Sequence, residues 1–325
     1  MFSNLEEVKR AIHNGVVLNC ILTEILQSPN LLRDHGNPFE VLYNAGYALN
    51  PDKDCEYLDM TTSEWLNLKV ETQIEYAKAY QEWYVKGLKQ EIEKNFAVGK
   101  TEIAMRLIPP GKFLMGSPLV EIGRYDNETQ HKVIISKAFW CGKYEVTQKQ
   151  WRAVMGNNPS KFKGDNLPVE MVSWEDCDNF CKKSGGMKLL SEAQWEYACR
   201  AGTTNVFNLG SNINTDQVNY DGNYPYNDTP KGEYRKKTVV CGSLPNSNTY
   251  GLYDMHGNVY EYCQDAYQVE YPSEETDPVN LKSSSDRVYR GGSWLSFAGT
   301  CRCANRGRYA WGFSILGLRV CRLYP

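Results

Sequence analysis

Apolar residues in the first hundred positions recur at steps of three and four, which is the spacing of one buried helix face. The first series predicts one buried helical stripe, made of Leu5, Val8, Ile12, Leu18, Ile21, Leu22, Ile25 and Leu26. A second, longer helix is predicted to begin after Thr61, Thr62 and Ser63, with Glu64 in its first turn, and to continue to about Phe96. A loop-rich joint is predicted between the two helices by Pro29, Pro38, Gly46 and Pro51.

The pattern changes near residues 97–100, where Trp, Tyr, Gly, Pro and Asn become frequent and long periodic stretches end. Side-chain caps predict three short helices beyond this point: one over 148–155 after Thr147, one beginning at Ser173 and one following Ser191. The remaining sequence indicates short strands and long loops. We therefore predict a helical N-terminal segment over 1–100 and a domain of mixed structure over 101–325.

Composition and charge exclude several classes of protein. A length of 325 residues fits two units, and 42% hydrophobic with 23% charged residues is typical of folded globular chains. The net charge of −3 argues against a basic nucleic-acid binder. No apolar run reaches the roughly 20 residues of a membrane span, and no signal-peptide pattern is visible. Residues 1–100 carry ten Lys/Arg against fifteen Asp/Glu, which favours a packing or spacer segment, with a partner-docking surface as the alternative.

Eleven cysteines are scattered along the chain without a C-x-x-C pair. An odd number over a long chain does not fit a disulfide scaffold. With only four histidines present, a zinc cage is not expected. We expect most of the thiols to be reduced and buried.

Eight sequence blocks follow one another in a fixed order after residue 105. They are Phe113–Ser117, Gln130–Val133, Glu145–Thr147, Pro168–Trp174, Leu190–Ala198, Asn219–Tyr226, Gly251–Glu261 and Arg290–Trp294, followed by Gly317–Arg319. In this order they resemble the formylglycine-generating enzyme, or sulfatase-modifying factor, family. The resemblance implies an α+β fold of the C-type lectin-like kind, with an aromatic core anchored by buried hydrogen bonds. Residues 1–100 lie outside it.

The same resemblance raises the question of copper chemistry, because enzymes of that family oxidise a peptide cysteine with copper held by two thiolates. The second of those cysteines falls on Cys301 and the first on Ser296, whose hydroxyl is a poor ligand for Cu(I). Cys303 is the other candidate thiol, although side chains two apart in a strand would be about 6–7 Å from each other. A copper-dependent oxidoreductase using Cys301 and Cys303 is therefore the alternative function.

The segment from Arg287 onwards also resembles the variable proteins of diversity-generating retroelements, a treponemal surface protein among them. This resemblance implies a variable region at about 294–316. The ligand-binding positions that it implies are Leu295, Ser296, Phe297, Gly299, Thr300, Cys303, Tyr309, Ala310, Trp311, Phe313 and Ser314. Aromatic residues mixed with small ones are typical of a paratope, and the alternative is that the aromatics fill the core.

Seven arginines and no acidic residue occur over 287–325. We expect the framework arginines to bond buried carbonyls and carboxylates such as those of Glu192, Glu196 and Glu261. A binding site for acidic ligands is the alternative use of these charges.

One metal is implied by the family resemblance, a structural calcium, and no other cofactor is expected. Asp254, Gly257, Val259 and Glu261 would supply its oxygen ligands, with a solvated turn as the alternative. Together these observations favour a non-catalytic, monomeric protein that binds an unknown protein or cell-surface ligand. The cell surface is implied by the treponemal resemblance alone. The exposure of Phe297, Trp311 and Phe313 decides between a binding patch and a core.

Overall fold

The computed structural model describes residues 1–49, 57–309 and 313–324, with only the backbone of Tyr309. Within those ranges the α-helices are α1 (Leu5–His13), α2 (Leu18–Leu26), α3 (Pro29–His35), α4 (Pro38–Asn44), α5 (Ser63–Leu66), α6 (Val70–Gly87), α7 (Gln148–Met155), α8 (Trp174–Lys183) and α9 (Glu192–Arg200). None of the described helices is long and apolar enough to cross a membrane.

The N-terminal helices differ from the prediction in two ways. The single predicted stripe is two helices, α1 and α2, because the chain turns at Gly15, whose φ of 73° is a left-handed conformation that favours glycine. The predicted joint contains α3 and α4, which begin at Pro29 and Pro38. Proline fits the first helical position because no hydrogen bond is required from its nitrogen there. Pro51 lies outside the described residues.

The second predicted helix ends earlier than expected. Thr62 caps the short helix α5, and α6 ends at Gly87. Residues 93–98 form a strand that pairs antiparallel with residues 101–106 around Gly99. The prediction of a helix to Phe96 is therefore wrong: the Phe96 ring packs edge-on against Trp140 at 5.2 Å, and this tertiary contact outweighs the local helical spacing.

Three sheets and three helices form the rest of the described chain. The strands are β1 (Leu58–Asp59), β2 (Glu93–Val98), β3 (Thr101–Ile108), β4 (Gly111–Met115), β5 (His131–Ile135), β6 (Phe139–Gly142), β7 (Lys188–Leu189), β8 (Tyr260–Ala266), β9 (Glu274–Thr276), β10 (Arg287–Arg290), β11 (Arg306–Tyr309), β12 (Leu316–Gly317) and β13 (Val320–Leu323). The sheet orders are β1-β4-β5-β9, β11-β10-β8-β12 and β2-β3-β6-β13-β7. Helices α7, α8 and α9 begin after Thr147, Ser173 and Ser191, and all three carry a capping box, so these predictions are confirmed.

The N-terminal helices pack on the rest of the chain. Strand β1 pairs parallel with β4, and the indole of Trp65 donates to the carbonyl of Gly202 at 3.2 Å. Helix α6 approaches so closely that a Cβ on Gly202 would lie 2.3 Å from the Cβ of Ala77. One continuous cluster of buried apolar residues includes Val8 and Cys321. The division of the chain near residue 100 remains a prediction.

Candidate binding face

Buried arginine–carboxylate pairs hold the C-terminal part of the chain. Arg290 bonds Glu192 and Glu196, Arg306 bonds Glu192, and Arg319 bonds Glu261. Every one of these side chains is almost fully buried. The prediction that the framework arginines bond these carboxylates is confirmed.

Arg302 is the member of this set that holds the loop of interest. Its guanidinium donates to both oxygens of Glu128, at 2.8 and 2.7 Å, and to Glu121 at 2.6 Å. It also donates to the carbonyls of Gly123 and Gly299, at 2.7 and 2.8 Å. Because hydrogen bonds between charged groups are strong, Arg302 ties the turn around residue 299 to a segment that lies 174–181 residues before Arg302.

The loop that follows β10 begins with two glycines in left-handed conformations. The φ of Gly292 is 83°, and a Cβ there would lie 2.4 Å from the Sγ of Cys301. Glycine is therefore required for the chain to pass this thiol. Trp294 comes next and is 7% exposed, and its indole donates to the carbonyl of Ser314 at 2.8 Å. This bond brings the two halves of the predicted variable region together.

Side chains along this loop alternate between interior and solvent. Leu295 is 46% exposed and Phe297 is 53% exposed. Ser296, which lies between them, and Ala298, which follows Phe297, are buried. Phe313 is 50% exposed, and its carbonyl accepts from the backbone N–H of Met171. The interpretation that aromatics fill the core is therefore right for Trp294 and wrong for Phe297 and Phe313.

Tyr224 was not predicted as part of the face. It is 52% exposed, and its ring centroid lies 4.2 Å from that of Phe297. We call Tyr224, Leu295, Phe297 and Phe313 the outer face. In the sequence, Tyr224 is marked only by the Tyr-rich block 219–226, and this block does not by itself distinguish an exposed tyrosine from a buried one.

Segment 119–125 is bonded to the loop that carries the outer face and was also missed. It exposes Leu119, Val120, Ile122 and Tyr125. Its Glu121 carboxylate and Gly123 carbonyl bond Arg302, as described above, and the carbonyl of Ile122 accepts from the hydroxyl of Tyr226 at 2.8 Å. Four exposed apolar residues in seven, without helical or strand spacing, are the signal that could have identified it.

Two of the predicted ligand-binding positions do not face outwards. Ser296 is 8% exposed, and its hydroxyl accepts from the backbone N–H of Ser293 and donates to the hydroxyl of Tyr260. Cys303 is fully buried, and its Sγ lies 3.7 Å from that of Cys199. The outward positions predicted for Ser296 and Cys303 are therefore wrong. Two hydrogen bonds hold Ser296 inwards, and Cys303 follows the short 3₁₀ turn over Ala298–Cys301 into the interior.

The other predicted positions are intermediate or outside the description. Gly299, Thr300 and Ser314 are half-buried. The side chain of Tyr309, and residues Ala310 and Trp311, lie outside the described part of the chain. That any of these positions touches a ligand stays a prediction.

The residues present do not fit the copper site that the family resemblance implied. Ser296 offers a hydroxyl where a thiolate is needed. Burial raises the pKa of the Cys301 thiol to about 12, and its Sγ points to the carbonyl of Phe297 at 3.7 Å. Cys303 bonds Cys199 instead.

The predicted calcium ligands do not fit calcium either. Each carboxylate oxygen of Glu261 already accepts two hydrogen bonds, from Arg319 on both oxygens and from the indole of Trp195 on one. Asp254 accepts from the backbone N–H of Gly242 at 2.6 Å, and burial raises the pKa of Asp254 to about 6. Glu261 is therefore already bonded on both oxygens and balances the charge of Arg319 rather than that of a cation.

With this geometry in hand, comparison with known proteins identifies the family. A sequence model described as the sulfatase-modifying factor enzyme 1-like domain matches residues 89–323. The chain belongs to this family.

This member of the sulfatase-modifying factor family is similar to an enzyme and to a variable protein. The formylglycine-generating enzyme of Mus musculus is 33% identical over 187 residues, which are 55% of this chain and 49% of the mouse protein. Treponema denticola variable protein 1 superposes with a TM-score of 0.61 at 27% identity, over 72% of this chain and 99% of that chain. The structure of PvdO from Pseudomonas aeruginosa gives a TM-score of 0.59 at 26% identity, over 72% and 100% of the two chains. The fold prediction is thereby confirmed.

Proposed function

We propose that this chain is a non-catalytic binding protein and that the outer face recognises a protein or cell-surface ligand. The observation that carries the proposal is the half-exposed ring of Phe297, which packs on Tyr224. The loop that carries Phe297 is held in place by five hydrogen bonds from the buried side chain of Arg302. Apolar side chains are thus held in solvent by an ordered loop.

The physical chemistry of the face suits recognition. An aromatic side chain can bury about 150–250 Å² on contact, and a few such residues carry most of the energy of an interface. Because the loop is already ordered by its ion pairs, little conformational entropy is lost on binding. The likeness to Treponema denticola variable protein 1 supports diversification at Leu295, Phe297 and Phe313.

The second candidate function is copper-dependent oxidation of a peptide cysteine, which the identity to the mouse formylglycine-generating enzyme favours. The substitution of a serine at position 296 and the high pKa of Cys301 argue against it. Incubation of the purified chain with copper, oxygen and cysteine-containing peptides separates the two candidates. Formation of an aldehyde product would contradict the binding proposal.

A display library tests whether the outer face tolerates diversity. Codons for Leu295, Phe297 and Phe313 are randomised together, and a matched library randomises the buried Trp294, Ser296 and Ala298. We expect the first library to be displayed at close to the level of the parent and to yield binders to unrelated purified proteins, and the second to lose display. Equal tolerance in both libraries would contradict the proposal.

A comparison of DNA sequences tests diversification separately. We expect a nearby imperfect copy of the codons for 294–316 that differs almost only at adenines. Its absence from the complete genome of the source would refute diversification and leave binding by a fixed face to be measured with the library.

A further inference from the structure

Three soft ligands from three separate parts of the chain converge in the interior behind the outer face. They are Cys199 in the last turn of α9, His256 in the loop before β8, and Cys303 just after the 3₁₀ turn. Their ligand atoms lie within 4.8 Å of one another, and all three side chains are buried. We propose that these three residues bind a zinc ion or a similar tetrahedral thiophilic metal.

The distance between the thiols fits tetrahedral coordination. Two Zn–S bonds of about 2.3 Å that span the observed 3.7 Å between Sγ atoms enclose an angle of about 107°, close to the tetrahedral value. A linear unit with bonds of that length would hold the sulfurs about 4.6 Å apart. The geometry therefore favours a tetrahedral ion over the two-coordinate Cu(I) considered for the family.

The histidine has one ring nitrogen with a lone pair that a metal could use. Its Nδ1 lies 2.7 Å from the carbonyl of Cys301, and its Nε2 lies 3.1 Å from the backbone nitrogen of Asn208, which is a donor. Nδ1 therefore carries the proton, and the lone pair is on Nε2. A ring N–H donated to a backbone carbonyl is the usual outer contact of a metal-bound histidine. Metal binding would exchange the Asn208 hydrogen bond for a coordinate bond.

The charges of the site support a dication. Two thiolates and one neutral imidazole around a dication give a site without net charge, which can be buried at modest cost. One ligand position stays open, as in the three-ligand zinc sites of enzymes. This inference does not rest on the proposed binding function.

The test uses the full chain with the exposed Cys20 changed to serine. This protein is reduced, freed of metal with a chelator and then titrated with Co²⁺ alone. We expect one equivalent to bind, with thiolate-to-cobalt charge-transfer absorption and the visible bands of a tetrahedral ion, both abolished by added Zn²⁺. Cys303→Ser and Cys199→Ser are expected to lower the affinity by at least about 100-fold, since loss of even an outer contact costs about 10- to 100-fold. His256→Gln is expected to weaken binding and change the visible bands.

The control is Cys177→Ser, a buried cysteine in α8 that should leave the cobalt spectrum unchanged. Circular dichroism checks that each variant is folded, and Zn²⁺ should raise the unfolding temperature of the parent and the control but not of Cys303→Ser. The proposal is overturned if the parent shows no charge-transfer band, or if Cys303→Ser keeps it. It is also overturned if the parent, before reduction, shows a Cys199–Cys303 disulfide by peptide mapping and binds no metal after reduction.

Discussion

The buried pair between Arg302 and Glu128 gives the sharpest test of how the loop below the outer face is held. Arg302→Met keeps much of the side-chain length but removes five hydrogen bonds, and it leaves the buried Glu128 with only the hydroxyl of Ser117 at 2.8 Å. Removal of one partner of a buried ion pair costs about 3–5 kcal/mol. At about 2–4 °C per kcal/mol for a chain of this size class, we expect thermal unfolding to occur roughly 6–20 °C earlier.

The pH dependence of this difference follows from Glu128. Although burial opposes ionisation, the pKa of Glu128 is lowered by Arg302 in the folded protein. Glu128 therefore stabilises the parent above its unfolded pKa of 4.5, and that stabilisation is lost as the pH falls through the folded value. In Arg302→Met, burial is the largest influence left and raises the pKa of Glu128, so the variant gains stability as Glu128 is protonated. The gap between parent and variant should narrow from pH 7 towards pH 4.

Calorimetry of parent and variants measures both effects. Arg308→Met is the matched control, because Arg308 is exposed and its ion pair with Asp286 is at the surface; its cost should stay below about 1 kcal/mol. Glu128→Gln in the Arg302→Met background should recover part of the loss, since the uncompensated charge is gone. Equal costs for the Arg302 and Arg308 variants, or a gap that widens on acidification, would refute the reasoning.

Three further predictions concern the same region. Gly292→Ala places a Cβ against the Sγ of Cys301 at a φ of 83°, and we expect the free energy of unfolding in urea to fall by at least about 2 kcal/mol. In the control Gly123→Ala the added Cβ meets no atom within 4 Å, so the variant should lose about 1 kcal/mol. Equal losses in the two variants would contradict the steric argument. Phe297→Ala should change the free energy of unfolding by less than about 1 kcal/mol, because the side chain is half exposed. The same substitution should abolish ligand binding in any library clone that retains Phe297. A large loss of stability would show that the ring is part of the core. Iodoacetamide at pH 8 should alkylate the exposed Cys20 far faster than Cys301, because burial raises the pKa of Cys301 to about 12. Mass mapping of the modified peptides measures both rates. Equal rates would refute the assignment of Cys301 to the interior.

Local signals in the sequence were sufficient for the helices with caps. Thr147, Ser173 and Ser191 mark helix starts because a side-chain oxygen satisfies backbone N–H groups within the same few residues. Phe96 could not be assigned in this way, since the partner that makes it a strand residue, β3, follows a turn that spacing does not reveal. The framework arginines were predictable because a buried guanidinium requires carboxylates.

The orientation of the loop after β10 was not predictable. A resemblance gives the positions that vary in a family, but it does not give the direction in which each side chain points. Ser296 faces inwards through its hydrogen bonds with Ser293 and Tyr260, and Cys303 follows the turn over Ala298–Cys301, which passes close to Gly292. Tyr224 was missed for the same reason, since its contact with Phe297 joins distant parts of the sequence.

The close approach of Ala77 to Gly202 has a consequence for how the chain loses its structure. The family match begins at residue 89, yet α6 lies directly against the end of α9, with no space for a single added methyl group. Partial melting of the first hundred residues would uncover an apolar surface that water would then have to solvate. We therefore expect both regions to unfold together in one cooperative transition, and a fragment starting at residue 89 to aggregate unless that surface is covered again.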